Sequence, residues 1–197
     1  HGNLTLIAKN QLGYKNLIKL ISKSQILGKK SGIPVIESAW LSEHAEGLIA
    51  LSGGFRGHIG KAVLDNNHDL FLKRIKYFQK LFEEDFILEI SRINRPQEDL
   101  YNEYILSQAK ELGLPVVATN EVRFINQEDF EAHETRVCIQ NGEVLSDSKR
   151  KRNYFENQFF LSPEEMYEKF KDIPEVLTNA YELSRKCNLE IETGIYV

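Results

Sequence analysis

Short apolar, β-rich runs alternate with amphipathic helical stretches along this chain, and that order restricts the fold most. Asn3-Leu4-Thr5-Leu6-Ile7-Ala8 alternates as a strand does. "GYKNLIKLIS" places Leu17, Ile18, Leu20 and Ile21 on one helical face, and "SQILGKKSGIPVI" reads as a loop broken by Gly28, Gly32 and Pro34. A short helix fits Glu37 to His44. "GLIALSGG" is a buried strand that runs into a glycine pair. Helices are expected over His58–Leu64 and Asp69–Phe82, then a strand in "DFILEIS". The helix in "RPQEDLYNEYILSQAKELGLP" has Pro96 at its start and Gly113 as its stop. Pro115 to Thr119 is the next strand, "NQEDFEAHETRVCIQ" is helical, and "LSDSKRKRNYFENQ" is a polar, basic surface loop. Two capped helices close the chain, with Ser162-Pro163 and Asp172…Pro174 at their starts. The pattern predicts an α/β fold with a parallel sheet or barrel.

The chain has 197 residues, 42% hydrophobic and 27% charged, which suffices for a substantial core. A net charge of −4 argues against a coat for nucleic acid. Cys138 and Cys187 lie far apart, without a CxxC pair. That fits a reducing compartment, the cytoplasm, and offers no zinc motif. No apolar run is long enough to span a membrane. The sequence starts on His1 beside a strand and stops within "IETGIYV", so it reads as a piece of a longer chain.

In α/β folds chemistry gathers at the C-terminal ends of the strands. Three such ends stand out: Ser52–Gly57, Glu89–Arg92 and Thr119–Phe124. Gly53-Gly54 can cradle a phosphate, but without GxGxxG or a P-loop lysine a tight strand-to-helix turn is favoured. Glu89 is either an inward acid or a solvated strand residue. Glu121 and Arg123 sit two apart, so on an extended chain they face the same way and are expected to pair. Arginine has no lone pair for a metal. His133, beside Glu131 and Glu134, is either a ligand or a packing residue, while His1, His44, His58 and His68 are scattered. Lys149-Arg150-Lys151-Arg152, with Tyr154, Phe155 and Phe159 nearby, can touch nucleic acid or an acidic partner, or form a solvated loop.

"NLTLIAKNQLGYKNLIKLIS", "EGLIALSGG", "LGLPVVATNEVRFINQEDFEAHETRVCIQNG" and "FLSPEEMYEKFKDIPEVLTNAYELSRKCN" together resemble the PHP (polymerase and histidinol phosphatase) domain of bacterial DNA polymerase III alpha subunits. The resemblance implies an incomplete, distorted (β/α)7 barrel. Residues 1–145 would be its later part, and 146–197 a basic loop and helical continuation of the same domain. Metal-binding members hold up to three ions, often zinc or manganese, and support 3′–5′ exonuclease activity. Four ligand positions of that family fall within this sequence, at Asn3, Gly54, Glu121 and Arg123. None of the four keeps its family ligand, and only Glu121 among them could still bind a metal. The resemblance therefore implies the type with a degenerate metal site, with no cofactor of its own and no catalytic residue in this segment. Such a domain supports the replicative polymerase and docks its separate proofreading exonuclease subunit within the holoenzyme. DNA and magnesium would belong to the polymerase parts of the parent chain. Arg123 would supply charge that the ions once gave. An active metal-dependent phosphoesterase or exonuclease is the alternative.

Overall fold

The computed structural model describes residues 2–30, 32–191 and 194, so His1 and most of "IETGIYV" lie outside the described residues. Strand β1 (Thr5–Ala8) leads into helix α1 (Gln11–Ile26), whose N-cap Asn10 accepts a hydrogen bond from the Gly13 amide. This helix runs past the expected boundary into the stretch read as loop. Ser24 is tolerated there because its hydroxyl bonds back to the Ile21 carbonyl at 2.7 Å. A small hairpin of β2 (Lys29–Lys30) and β3 (Ile33–Pro34) follows, then helix α2 (Ser38–Glu43).

β4 (Leu48–Leu51), β5 (Phe86–Ser91) and β6 (Val116–Thr119) are parallel neighbours in a four-stranded sheet of order β1-β4-β5-β6. β1 runs antiparallel to β4, so the sheet is mixed rather than wholly parallel. The reason lies in the connection. α1, the hairpin and α2 return the chain to the end of β1, where the Lys9 amide meets the Gly47 carbonyl at 2.9 Å and Ala8 pairs with Leu48.

Alternation along the strands separates two faces. Leu48, Ala50, Phe86, Leu88, Ile90, Val116 and Ala118 enter the larger core. Against them pack α3 (His58–Leu64), α4 (His68–Phe82) and α5 (Glu98–Leu112) through Ile59, Phe71, Ile75, Phe78, Tyr101 and Ile105. Ile49, Leu51, Ile87 and Val117 face the other way, and Ala180, Leu183 and Cys187 of the closing helical segment cover them. That segment comprises α7 (Pro163–Phe170) and α8 (Glu175–Lys186), which follow α6 (Phe130–Asn141) and the basic loop. Asn179 of α8 donates to the Val116 carbonyl at 2.9 Å. Both faces of the central strands are thus buried, as their near-continuous apolar runs require.

Ser162 caps α7 reciprocally with Glu165, as expected. Asp172 does not cap α8. Its carboxylate is held by Arg92, with the two contacts at 2.6 and 2.7 Å, because a bidentate charged pair outcompetes a single cap bond. Among the described residues no helix is long and apolar enough to cross a membrane.

Candidate functional site at the strand ends

The C-terminal ends of β4, β5 and β6 open onto one mouth, and local sequence shapes each contributor. After β4, Gly53 and Gly54 adopt φ of 77° and 56° and turn the chain through a 3₁₀ turn into α3. A Cβ on Gly53 would lie 2.2 Å from the Asn3 carbonyl oxygen, so only glycine allows the segment leading into β1 to approach so closely. The Gly53 amide donates to a Glu89 carboxylate oxygen at 2.9 Å. The glycine pair is therefore a turn whose free amide already serves a carboxylate, not a phosphate cradle.

Glu89 itself is inward and buried, on the face opposite Leu88 and Ile90. Its amide donates to Ser52 Oγ at 2.9 Å. Burial pushes its carboxyl above the usual carboxylate range, against the opposing pull of the Gly53 amide and the Thr119 side chain. Below it, the Tyr101 hydroxyl donates to the Glu89 carbonyl at 2.9 Å, and the Tyr101 ring meets Phe55 edge-on at 5.7 Å. Burial, above all, also raises the Tyr101 phenol well above its ordinary value.

Because the folded-state pKa of Glu89 is raised, its contribution to stability is complete below the ordinary carboxylate range and is lost as pH rises through the raised value. Glu89→Gln removes that loss while keeping an oxygen for the Gly53 amide. We expect denaturant titrations from about pH 4 to about pH 8 to show a flatter stability profile for the variant. An unchanged slope would mean that Glu89 is not the group responsible.

Glu121 does not pair with Arg123. Its φ of 45° turns the chain out of the extended form, so the two side chains no longer share a face. Glu121 instead accepts from Arg95 at 2.8 Å. Arg95 stands on the loop after β5, which Glu98 clips by accepting from the Ile93 and Asn94 amides at 2.7 and 3.0 Å. The guanidinium lies over the Phe55 ring at 4.7 Å and near the Phe155 ring at 5.7 Å. Charge at the mouth thus comes from Arg95 and not from Arg123, which is exposed and sits over Tyr154 at 5.6 Å. The strand-end rule had marked Glu89–Arg92, and Arg95 lies three residues further on. Distance in the sequence hid the pair.

Gln158 is another residue that spacing did not reveal. It is fully buried, donates to the Glu121 carbonyl at 3.0 Å, and its own carbonyl accepts from the Arg123 amide at 2.7 Å. This clasp lays the segment after the basic loop beside the end of β6, where Asn120 also donates to the Phe159 carbonyl at 2.6 Å.

Of the four positions where the family resemblance implies ligands, Gly54 faces Glu89, where an added Cβ would meet only the Glu89 Cβ at 3.8 Å. Asn3 is exposed and bridges Gly57 through its backbone. His133 packs between Tyr154 at 4.5 Å and Phe124 at 5.5 Å, the packing reading. Its neighbour Glu134 pairs with Arg150 at 2.6 Å, both side chains being nearly inaccessible. Arg150 is therefore not part of a solvated loop, unlike Lys149, Lys151 and Arg152, which are exposed. His68 bonds the Tyr104 hydroxyl at 2.7 Å, remote from the mouth. Among the described residues no three His, Cys, Asp or Glu side chains converge as a metal site. Asn3, Gly54 and Arg123 offer no soft or carboxylate donor, and the one acid among these positions is bound to a guanidinium. The residues present do not fit a metal cluster.

Residues 1–93 match the PHP domain family. The chain is 48% identical over 193 residues to the DNA polymerase III subunit alpha of Vibrio cholerae serotype O1, covering 98% of this chain and 17% of that protein. It is 44% identical over 194 residues to the same subunit of Escherichia coli strain K12 (98% and 17%), and 44% identical over 193 residues to that of Pseudomonas aeruginosa (98% and 16%). The chain thus spans about one sixth of the length of these curated relatives. Residues 1–93 thus match the PHP domain family, and nearly the whole chain is similar to one stretch of the bacterial DNA polymerase III alpha subunit.

Proposed function

We propose that this chain serves as a non-catalytic PHP scaffold within a replicative DNA polymerase III alpha subunit. Residues 1–145 form part of a distorted (β/α)7 barrel, with 146–197 its helical continuation. The polymerase reaction, its magnesium and its DNA belong to other parts of the parent chain in the cytoplasm. The scaffold docks the proofreading exonuclease subunit and so joins the holoenzyme. Lys149, Lys151 and Arg152 are offered as cationic contacts for an acidic partner surface. The observation that carries this reading is the filled mouth, where an arginine–glutamate pair under two aromatic rings occupies the place a metal cluster would need.

The test is elemental analysis of the full-length protein, with an exonuclease assay in the presence and absence of chelator. We expect less than stoichiometric zinc and manganese, and no nuclease activity that follows the protein through purification. Stoichiometric metal together with a chelator-sensitive nuclease would put the phosphoesterase or exonuclease reading first. Mixing with purified exonuclease subunit should give a complex on size-exclusion chromatography, weakened when Lys149, Lys151 and Arg152 are changed to glutamate. Unaltered binding by that variant would remove the basic loop from the interface.

A further inference from the structure

Helix α1 turns much of its apolar side to solvent. Its fully buried residues are Gly13, Asn16, Leu20 and Ser24, and of these only Leu20 brings a large apolar side chain. The helix crosses backbone at close range there. A Cβ on Gly13 would lie 1.8 Å from the Gly47 carbonyl oxygen, and Asn16 donates to the Glu46 carbonyl at 2.9 Å. Ile18 stands about 200° around the helix from Leu20 and is 46% exposed, with Ile21 beside it at 50%. Exposed apolar side chains continue through Ile26 and Leu27 at the helix end to Ile33 of the β2–β3 hairpin. The Val35 amide donates to the Gly28 carbonyl at 3.0 Å and pins that hairpin against the helix end. A surface helix ordinarily faces such residues inward, and a contiguous apolar run outside marks an interaction site.

Charge around this face has one sign. Residues 11–36 carry five lysines and no acid, although the whole chain has a net charge of −4. Lys23 and Lys30 pair with Glu43 and Glu37 at 2.9 and 3.8 Å. Lys15, Lys19 and Lys29 are exposed and form no ion pair among the described residues. Beside the hairpin, Ile33 and Ile36 line a cavity of about 600 Å³ together with Leu6, Leu41 and Phe78. We infer that α1 and the β2–β3 hairpin form a docking groove for an acidic amphipathic helix of a partner protein. The partner's apolar residues cover Ile18, Ile21 and Ile26, and one large side chain enters the cavity. Its carboxylates meet Lys15, Lys19 and Lys29, which set the orientation. Charge opposes a second copy of this chain, because a two-fold contact sets five lysines against five. Shape and composition oppose a bilayer, because residues 11–36 hold no Trp or Phe and a flat surface leaves the cavity empty. The groove shares no residue with the mouth or the basic loop and does not depend on the scaffold reading.

The experiment is fluorescence anisotropy on the full-length protein with a labelled, designed helical peptide of about 16 residues, leucine at helical spacing and glutamate elsewhere. A counterpart with lysine in place of glutamate is the control. The variants are Ile18→Ser/Ile21→Ser and Lys15→Glu/Lys19→Glu, each checked for its melting temperature. The parent should bind the glutamate peptide and not the lysine peptide. Each variant should bind the glutamate peptide about tenfold more weakly or worse, and Lys15→Glu/Lys19→Glu should take up the lysine peptide. No binding by the parent, equal binding of both peptides, or binding that neither variant changes overturns the inference. So does flotation of the parent with phosphatidylglycerol vesicles, or self-association in sedimentation velocity, that Ile18→Ser/Ile21→Ser abolishes, since the face would then belong to a bilayer or a second copy. Should a variant melt early, hydrogen exchange on the parent replaces it. The glutamate peptide should slow exchange in α1 and the hairpin, and protection confined to other elements overturns the assignment.

Discussion

Replacing Tyr101 by alanine is expected to destabilise the protein by about 3–5 kcal/mol, the usual range for deleting a buried aromatic ring. Tyr101 is 1% exposed and sits where α5 meets β5. Its ring supports Phe55, and Phe55 in turn carries the Arg95 guanidinium. Its hydroxyl holds the Glu89 carbonyl. The variant therefore loses core packing and the platform of the mouth at once. Tyr101→Phe keeps the ring and removes only the hydrogen bond, so its effect should be about 1 kcal/mol. Urea denaturation of both variants separates these contributions. Equal effects for alanine and phenylalanine would mean that the hydroxyl, not the ring, sustains the site.

The second large effect has an unexpected sign. Gly13 lies inside α1, where alanine ordinarily stabilises a helix by about 1 kcal/mol. Here a Cβ would fall 1.8 Å from the Gly47 carbonyl oxygen and 2.5 Å from its carbonyl carbon. Both are backbone atoms of the turn that starts β4, and Gly47 is itself left-handed at φ 76°. Neither side can yield without moving the join between β1 and β4. Gly13→Ala should therefore destabilise by about 1–3 kcal/mol. A stabilised variant would show that the two backbones separate at little expense.

Much of this molecule was legible in the sequence because its signals are local. The Gly113 stop of α5 and the Ser162–Glu165 capping box each depend on a few adjacent residues. β5 and β6 were marked by short apolar runs, and the strand-end rule located the mouth. The reading of that mouth as a former ligand region came only from the family resemblance. Contacts across the chain were not legible. Glu121 finds Arg95 across 26 residues, and Asp172 finds Arg92 across 80. The spacing of Glu121 and Arg123 suggested a neighbourly pair because it assumed an extended chain. One left-handed residue removed that assumption. Arg150 looked like a solvated cation for the same reason, since its buried partner Glu134 lies on a separate helix.

The sequence by itself determined most of the strands and helices, though not the end of α1 or the β2–β3 hairpin in the stretch read as loop, and which strand ends could hold chemistry. Periodicity, caps and turn residues act within a few positions, so they survive without knowledge of the rest of the chain. Tertiary structure alone decided that β1 runs antiparallel, that α8 covers the second face of the sheet, and that Arg95 rather than Arg123 supplies the charge at the mouth. Strand direction follows from where a long connection returns. Ion-pair partners follow from which loops meet once the strands are side by side. Both depend on distances in space that no spacing along the chain encodes.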